Sequence, residues 1–366
     1  MNIGVDFHYY DDSSQGIKTL LLGLYKEVIK QNNKHKIFIF VGDPEKLIKE
    51  NNFFLNERVS LIKIGKMGKV FRLLFFFPFA KLKYKIDLFH FQFIAAPLIV
   101  KSSFIHIHDV LYEDFPEFFT KFFVFRSKIL IRLSAIFSRH IFTISQYSSE
   151  KICKHYGVSN KKISCNYPGV DKEKFSFPMG ENTKDILKKY NLNSKEYYFI
   201  HGRLDPRKNH KIILKALKKL KNQIPLAIAG NGPTLNELKN YSKELNITDR
   251  VKFLGELPQQ DLAILLSQCR VFIFPSICEG FGLPVLEAQQ CSVPTITSNS
   301  TSMKELFSNS SILINPTKEN ELVDAILLLE NSENKQQMII DKGSKNTKRF
   351  SYQESAIKLL ETIESI

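Results

Sequence analysis

The feature that most constrains the fold is an alternation of short apolar runs with helical stretches, which occurs twice along the 366 residues. Near-continuous apolar strands separated by helices are typical of βα units that form a parallel sheet covered on both faces. The first series predicts strands at 3–7, 36–41, 59–64, 87–91, 104–108 and 140–145. The second predicts strands at 197–201, 226–229, 251–254, 271–274, 295–298 and 312–314. We therefore predict an α/β protein with two doubly wound sheets.

The two series are separated by residues 166–190, which contain two prolines and two glycines and break the alternation. A chain of this length is too long for one ordinary core and fits two domains. We predict a first Rossmann-like domain at residues 1–178 and a second at residues 190–349. Residues 350–366 are helical and amphipathic in pattern, and we expect them to pack back on the first domain.

The overall composition is that of a folded soluble protein, with 43% hydrophobic and 24% charged residues. The first residues read as a strand and lack the basic and apolar regions of a signal peptide. The longest uncharged apolar run, 73–80, falls far short of the ~20 residues that span a bilayer. The five cysteines form neither a CxxC pair nor a disulfide framework, which favours a reduced, cytoplasmic location.

The net charge of +15 is uneven, because residues 1–180 carry 27 basic residues against 16 acidic ones. Two segments, 63–85 and 118–149, combine basic and aromatic residues with no acidic residue. Such segments suit the headgroup region of an anionic membrane, with Lys81, Lys83 and Lys85 as contacts at the inner face of the cytoplasmic membrane. Alternatively, the apolar residues are core faces and the basic residues their solvated backs. The sequence leaves both readings open.

The strongest chemical pattern lies in residues 270–294, RVFIFPSICEGFGLPVLEAQQCSVP. A buried strand leads through a loop with Glu279 and a glycine-bearing turn into a helix that carries Glu287. A strand, a glycine turn and a helix start direct backbone N–H groups and the positive end of a helix dipole towards one point. Such a point suits phosphate.

Two further loops of the second series carry candidate binding groups. GRLDPRKN follows its first strand, so that Arg203 and Lys208 would form a clamp for a diphosphate. GNGP at 230–233 has the first two glycines of a dinucleotide fingerprint but lacks the third. Gly232 therefore belongs either to a tight turn before a helix or to the lining of a nucleotide pocket.

The two carboxylates, Glu279 and Glu287, are spaced too widely for a hydrolytic pair. Eight helical residues span about 12 Å, whereas the two carboxyl groups of a glycosidase lie about 5–9.5 Å apart. We therefore expect the carboxylates to contact different parts of one ligand. The alternative for Glu287 is a charge on a helix surface, although its apolar neighbours predict a largely buried helix.

The motifs GRLDPRKN, IAGNGP, VKFLGEL, VFIFPSICEGFGLPVLEA and ILINP resemble, in this order, the second domain of family 4 glycosyltransferases of the group 1 type. In the first half GIKTLLLGL, His108-Asp109, TISQYS and YPGVDKEKF are similar to the same family and to its mannosyltransferase branch. The resemblance implies a GT-B fold, with two Rossmann-like domains facing each other across a cleft. It also implies a retaining, metal-independent hexosyltransferase that uses a nucleotide sugar and needs no cofactor.

The resemblance assigns roles to individual residues of this chain. Glu279 and His108 would be the catalytic residues at the donor sugar, Arg203 and Lys208 would hold the diphosphate, and Glu287 would bind the ribose. The other donor-binding positions that it implies are Gly16, Gly232, Leu257, Gly280, Phe281, Gly282 and Leu283. The chain departs from the family's pattern in its first loop, where Ser13-Ser14-Gln15-Gly16 replaces paired glycines.

The function that follows as an expectation is transfer of a hexosyl group, with GDP-mannose as first choice of donor. The acceptor would be a glycan or a polyprenyl-linked saccharide in the synthesis of a surface polysaccharide such as lipopolysaccharide. An alternative is a GT-B enzyme that uses a UDP-sugar with a soluble acceptor. A more remote one is a basic nucleic-acid-binding protein, which the absence of a basic recognition helix in the sequence pattern disfavours. We expect neither nucleic acid nor a metal ion as a partner.

Overall fold

The computed structural model describes residues 1–11, 15–65, 67–175 and 182–365. They form two units, one made of 1–169 with 351–366 and the other of 170–350. The predicted boundary at residue 178 lies outside the described residues. The segment 166–190, which the sequence predicts as a linker, contains two helices that pack within the second unit.

The first unit is built on a sheet of seven parallel strands. These are β1 Asn2–Asp6, β2 Lys36–Val41, β3 Val59–Lys63, β4 Leu88–Gln92, β5 Ser103–His106, β6 His140–Thr143 and β7 Ile163–Cys165. Their order is β3-β2-β1-β4-β5-β6-β7, which reverses between β1 and β4. Six of these strands confirm the predicted ones. The edge strand β7 was not predicted, because three residues with a central serine give no apolar run.

In the described residues, seven α-helices of the first unit precede the second unit along the chain. They are α1 Gln15–Gln31, α2 Pro44–Glu50, α3 Lys69–Phe71, α4 Phe77–Lys83, α5 Leu111–Asp114, α6 Lys121–Phe137 and α7 Gln146–Tyr156. A π-helical turn, Arg72–Phe76, joins α3 to α4, and a 3-10 helix, Pro97–Ser102, connects β4 to β5. Ser145 caps the N-terminus of α7, since its Oγ accepts a hydrogen bond of 3.1 Å from the N–H of Ser148.

The second unit has a sheet of six parallel strands, and all six were predicted. They are β8 Tyr198–His201, β9 Leu226–Ala229, β10 Val251–Gly255, β11 Val271–Phe274, β12 Thr295–Ser298 and β13 Ile312–Ile314. The helices are α8 Lys172–Phe175, α9 Asn182–Lys189, α10 His210–Lys219, α11 Leu235–Glu244, α12 Gln259–Gln268, α13 Leu283–Gln290, α14 Thr301–Phe307, α15 Glu319–Glu330 and α16 Glu333–Thr347. The strand order β10-β9-β8-β11-β12-β13 reverses between β8 and β11. The prediction of two parallel α/β domains is confirmed.

The last helix, α17 Tyr352–Ser365, belongs to the first unit and packs against α1. Lys358 Nζ donates a hydrogen bond of 2.7 Å to the carbonyl oxygen of Cys165, and Lys34 Nζ lies 3.0 Å from a carboxylate oxygen of Glu364. Helix α17 is thus part of the first unit, although it follows the second unit in the sequence. No helix in the described ranges is long and apolar enough to cross a membrane.

Candidate functional site

The candidate site of the second unit lies where its strand order reverses. The loops after β8 and β11 leave the sheet side by side, because these two strands are paired in parallel. In open α/β sheets, ligands bind beyond the carboxyl ends of the strands at such a reversal. The predicted clamp and the predicted turn lie in these two loops. The topology therefore brings together the two segments that the sequence singled out.

The centre of this site is a buried carboxylate that faces two cations. Lys208 Nζ lies 2.5 Å from Oε1 of Glu279, and Arg207 Nη1 lies 3.0 Å from Oε2. Arg207 also donates to the carbonyl oxygen of Cys278 at 3.2 Å. Lys208 is only 8% exposed, and its ammonium lies 4.6 Å from the ring centroid of Phe274. Both cations come from the loop after β8, and the carboxylate comes from the loop after β11.

The electrostatics of this group leave it with an excess of positive charge. Burial raises the pKa of Glu279, but Arg207 and Lys208 more than offset this and lower it to about 2. Burial also lowers the pKa of Lys208, and the attraction of Glu279 only partly opposes this effect because Arg207 repels the ammonium. Within this group one carboxylate faces two cations, of which Lys208 is buried and Arg207 is 25% exposed. An anion placed beside them would be stabilised.

The structure assigns the second cation to Arg207, which the sequence analysis did not single out. Arg203, which it did, has a side chain that is 66% exposed and pairs with Asp205 at 3.1 Å. The 3-10 turn Pro206–Lys208 directs Arg207 and Lys208 towards the loop after β11, where the N–H of Ile277 donates to the carbonyl oxygen of Arg207 at 2.8 Å. Both arginines lie in the motif GRLDPRKN, and the sequence does not show which of them contacts Glu279. The path of the backbone in this loop decides it.

Gly280, Phe281, Gly282 and Leu283 form the turn from the loop of Glu279 into α13. Gly282 has a φ of +98°, and a Cβ at this position would lie 2.8 Å from the sulfur of Met303. A residue with a side chain is therefore strained here. The side chain of Phe281 is buried and packs edge-on against Phe350, so it belongs to the core.

The start of α14 holds the loop in place. The N–H of Glu279 donates to Thr301 Oγ1 at 3.0 Å, and Ser302 Oγ donates to the carbonyl oxygen of Glu279 at 2.8 Å. These bonds to the backbone leave the carboxylate of Glu279 directed at the two cations. The loop is thus fixed from the side opposite to the loop after β8.

Glu287 is not a charge on a helix surface. Its side chain is only 15% exposed, and Oε2 lies 3.2 Å from Nε2 of His201. His201 is the last residue of β8 and is also buried. Sequence reasoning missed His201 because it ends an apolar run and carries no motif. Glu287 therefore lies at the carboxyl end of the same strand from which the clamp loop begins.

The loops after β8, β9 and β10 are joined by backbone contacts. The N–H of Leu204 donates to the carbonyl oxygen of Asn231 at 2.9 Å, and the N–H of Gly230 donates to that of Gly255 at 2.7 Å. A Cβ at Gly232 would lie 2.5 Å from the carbonyl oxygen of Leu204. Close approach of two loops thus explains this glycine. Leu257, two residues beyond β10, is half-buried.

In the first unit, His108 ends a chain of buried polar groups. Tyr25 Oη lies 2.6 Å from Nδ1 of His90, His90 Nε2 lies 3.1 Å from Nε2 of Gln92, and Oε1 of Gln92 lies 2.9 Å from Nε2 of His108. The ring of His106 stacks on that of His108 with centroids 5.0 Å apart. Burial lowers the pKa of His90 and that of His108 to about 3, so both imidazoles are neutral at physiological pH.

The other predicted residues of the first unit are exposed to different extents. Gly16 lies at the exposed start of α1, and a Cβ there would meet nothing within 4 Å. Steric crowding therefore does not require a glycine at this position. Residues 12–14 of the predicted first loop lie outside the described residues. Lys83 and Lys85 are exposed at the end of α4, whereas Lys81 is half-buried.

No group of three or more His, Cys, Asp or Glu side chains in the described part of the chain is arranged to hold a metal ion. In the second unit, the structure brings Lys208, Arg207 and Glu279 into direct contact and leaves Arg203 apart from them. Glu287 forms a separate pair with His201. Arg207, Lys208 and Glu279 thus form a cationic group, called the cationic pocket below, that can stabilise an anion.

Comparison with known proteins agrees with this chemistry. A family model described as glycosyl transferases group 1 matches residues 182–346, and one described as glycosyltransferase family 4 matches residues 14–174. The O-antigen chain mannosyltransferase RfbU of Salmonella typhimurium is 30% identical over 234 residues, which are 63% of this chain and 62% of the relative. The chain thus matches about three fifths of the length of this relative.

Two further comparisons extend the picture. A UDP-Gal:alpha-D-GlcNAc-diphosphoundecaprenol alpha-1,3-galactosyltransferase of Escherichia coli is 37% identical over 160 residues, 41% of this chain and 40% of the relative. The crystal structure of Anabaena HepE in complex with UDP and glucose superposes with a TM-score of 0.78 over the whole of both chains, at 18% identity. This last likeness concerns the fold alone. Since the two family models together span nearly the whole sequence, the chain belongs to the group 1, family 4 glycosyltransferases and has their GT-B fold.

Proposed function

We propose that this protein transfers a hexosyl group from a nucleotide sugar to a glycan or lipid-linked saccharide, without a metal ion and with retention of the anomeric configuration. The observation that carries the proposal is the pair of cations, Arg207 and the buried Lys208, that share the carboxylate of Glu279 at the reversal of the second sheet. A diphosphate is the anion that such a pair would stabilise as it leaves the sugar.

Metal independence is supported by what these side chains supply. In a phosphate-transfer or glycosyl-transfer site, positive charge must stabilise the departing diphosphate, and either a metal ion or protein cations can provide it. Here Arg207 and Lys208 are held in place before any ligand binds, because Glu279 pairs with both. Arg203, which is exposed in the same loop and pairs with Asp205, would act as a third cation if it left Asp205 for the diphosphate.

Retention is favoured by the low basicity of the two residues that the family resemblance assigns to catalysis, Glu279 and His108. An inverting transferase needs a general base with a pKa near the working pH to deprotonate the acceptor hydroxyl. The pKa of Glu279 is lowered to about 2 and that of His108 to about 3, so neither group takes up a proton readily at neutral pH. In our proposal, Glu279 contacts the donor sugar and stabilises positive charge as the bond to the leaving group breaks.

GDP-mannose is the first choice of donor, because RfbU is named as a mannosyltransferase. The Escherichia coli relative is named for UDP-Gal and the HepE structure contains UDP, which favour a UDP-sugar as the second choice. The test is binding of GDP, UDP and CDP by calorimetry, followed by transfer with the matching sugar and assignment of the product anomer by NMR. Inverted product, or loss of transfer with EDTA that added Mg²⁺ restores, would contradict the proposal.

A lipid-linked acceptor is supported by the diphosphoundecaprenol in the name of the same relative. We propose that the enzyme works at the inner face of the cytoplasmic membrane, with Lys81, Lys83 and Lys85 near anionic headgroups. Replacing these three lysines by glutamate is expected to weaken binding to anionic liposomes at low salt. Unchanged binding of the triple variant would exclude these lysines as the contact. The UDP-sugar enzyme with a soluble acceptor is the alternative that equal transfer to lipid-free saccharides would favour.

A further inference from the structure

The first unit exposes an unusual amount of large apolar surface, concentrated on two segments. On α6 the exposed side chains include Phe122, Phe125, Ile129, Leu133, Ile136 and Phe137, of which Phe122 is 73% exposed. On the helical segment 69–83 they include Phe71, Phe75, Phe79 and Leu82. Monomeric soluble proteins rarely expose contiguous apolar patches of this kind without an interaction to explain them.

The orientation of α6 is the reverse of that of an ordinary surface helix. Its buried residues are Ser127, Ile131, Ser134 and Ala135, whereas its large aromatic and aliphatic side chains point outwards. A helix that covers a sheet normally directs its apolar stripe towards the core. The reading of these side chains as core faces is therefore wrong for most of α6, and their exposure needs another explanation.

The two segments belong to one face of the first unit. The 3-10 helix Pro97–Ser102 contacts both α6 and the segment 72–83, and its Leu98 is 72% exposed between them. The loop before it is tied to α6, since the N–H of Ala95 donates to Ser134 Oγ at 3.1 Å. We call the outward side chains of α6, Leu98, and those of segment 69–83 the apolar face.

The charge around the apolar face is mainly basic, although Glu113 on α5 pairs with Lys128 of α6 at 2.9 Å. Residues 118–149 contain five basic and no acidic residues, and residues 63–108 contain one acidic residue, Asp87. Lys121, Lys128 and Arg132 are exposed on α6 beside its apolar side chains. A partner that covers this face must therefore accept both apolar side chains and an excess of basic residues.

An anionic bilayer meets both requirements. Its acyl chains take up the aromatic and aliphatic groups, and its headgroups pair with the lysines and arginines. A second copy of this chain fits less well, because a symmetric contact would bring the basic residues of the two copies together, and these repel each other. The combination of charge and exposure thus selects lipid over self-association.

We infer that the apolar face inserts into the boundary between headgroups and acyl chains of an anionic membrane, with α6 as its main anchor. This inference deepens the proposed function, since it rests on an acceptor held in a membrane. It differs from contact through lysines alone, which salt would abolish, because the buried apolar area gives binding that salt does not screen. It also places the anchor on the first unit.

The absence of tryptophan from the chain allows a direct test of insertion. Phe125→Trp in the full-length protein gives a single tryptophan on α6, and Leu328→Trp gives one on α15 of the second unit, where Leu328 is also exposed. Vesicles of equal parts phosphatidylcholine and phosphatidylglycerol should shift the emission of Phe125→Trp to the blue, and brominated acyl chains should quench it. The Leu328→Trp control should show neither effect. Equal responses of both probes, or none, would overturn the inference.

Binding is measured on a second pair of variants. Phe122→Ser with Phe125→Ser should lower partitioning onto these vesicles at ~0.5 M salt by at least about tenfold, since burial of one phenylalanine side chain is worth more than this factor. Leu327→Ser with Leu328→Ser removes comparable exposed residues from the second unit and should leave binding unchanged. A different result would assign the apolar face to a second copy of the chain. In that case the wild type would not bind the vesicles and would sediment as a dimer, and the α6 variant would sediment as a monomer.

Binding of GDP and UDP to the same α6 variant separates this inference from the proposed function. If the α6 variant keeps its nucleotide affinity and loses vesicle binding, the result supports both the membrane inference and the proposed function. Vesicle binding that depends on α6, together with no affinity of the wild type for any nucleotide, would leave the membrane anchor standing and the transferase proposal refuted.

Discussion

Removal of the ammonium of Lys208 is the sharpest test of the cationic pocket. Lys208→Met keeps an unbranched side chain of similar length over the ring of Phe274 but deletes the charge that lies 2.5 Å from Glu279. A hydrogen bond to a charged group contributes about 1.5–3 kcal/mol, so the affinity for a nucleoside diphosphate should fall by about 10- to 150-fold. Arg207 still neutralises Glu279 at 3.0 Å, and we therefore expect the variant to fold.

The assay is calorimetric titration of GDP and UDP, after urea denaturation has established that each variant is folded. Lys211→Met is the matched control, because Lys211 lies on the next turn but pairs with Glu237 in a largely exposed ion pair. Glu279→Gln makes the opposite change, because it removes a negative charge beside the diphosphate. The nucleotide affinity of this variant should be unchanged or higher, while its transfer rate should fall by roughly 10²–10³-fold. Lys208→Met that binds within twofold of the wild type would refute the reasoning. So would Glu279→Gln that loses as much affinity as Lys208→Met.

Three other consequences concern stability. Gly282→Ala should lower the free energy of unfolding by about 1–3 kcal/mol, because a residue with a Cβ is strained at this φ and meets Met303; an unchanged urea midpoint would contradict this. The pKa of Glu279 lies at about 2, below its ordinary 4.5, so its ion pairs stabilise the fold above pH 4.5 and lose this contribution as the pH falls towards 2. Wild type should therefore lose about 2 kcal/mol more than Glu279→Gln between about pH 6 and about pH 3, as measured by urea denaturation; parallel curves would exclude the effect. Gln92→Leu should cost about 1–3 kcal/mol and slow transfer, since Nε2 of His108 loses its partner; full activity would show that this bond does not orient the imidazole.

The sequence predicted the strands well because each is a compact apolar run between turn residues. It failed at β7, where Ile163, Ser164 and Cys165 form an edge strand too short to show a pattern. It also treated 166–190 as a linker, because proline and glycine break a pattern whether or not the segment packs. Within this segment α9 packs on α12, where Lys189 and Tyr190 both bond Asp261 at 2.7 and 2.6 Å.

The aromatic and basic segments show that a local sequence pattern does not predict which side chains are buried. In FRLLFFFPF, Phe77 is fully buried and packs edge-on against Phe89 and Phe91, whereas Phe75 and Phe79 are exposed. The prediction of core side chains is therefore confirmed for Phe77 and wrong for Phe75 and Phe79. A π-helical turn interrupts the ordinary helical period here, so sequence spacing alone could not assign each phenylalanine to one side.

By itself, the sequence determined the class of fold, the order of its strands and helices, and the family, because apolar periodicity and glycine turns are local properties that short motifs carry. It also determined that Lys208, Glu279 and Glu287 lie in loops or helices that follow buried strands. Only the tertiary structure decided which groups touch: Arg207 rather than Arg203 on Glu279, His201 against Glu287, and Gln92 beside His108. These partners lie on, or in the segments that follow, strands that are adjacent in the sheet but separate in the sequence. Strand order and the path of each loop, which no local pattern encodes, set those contacts.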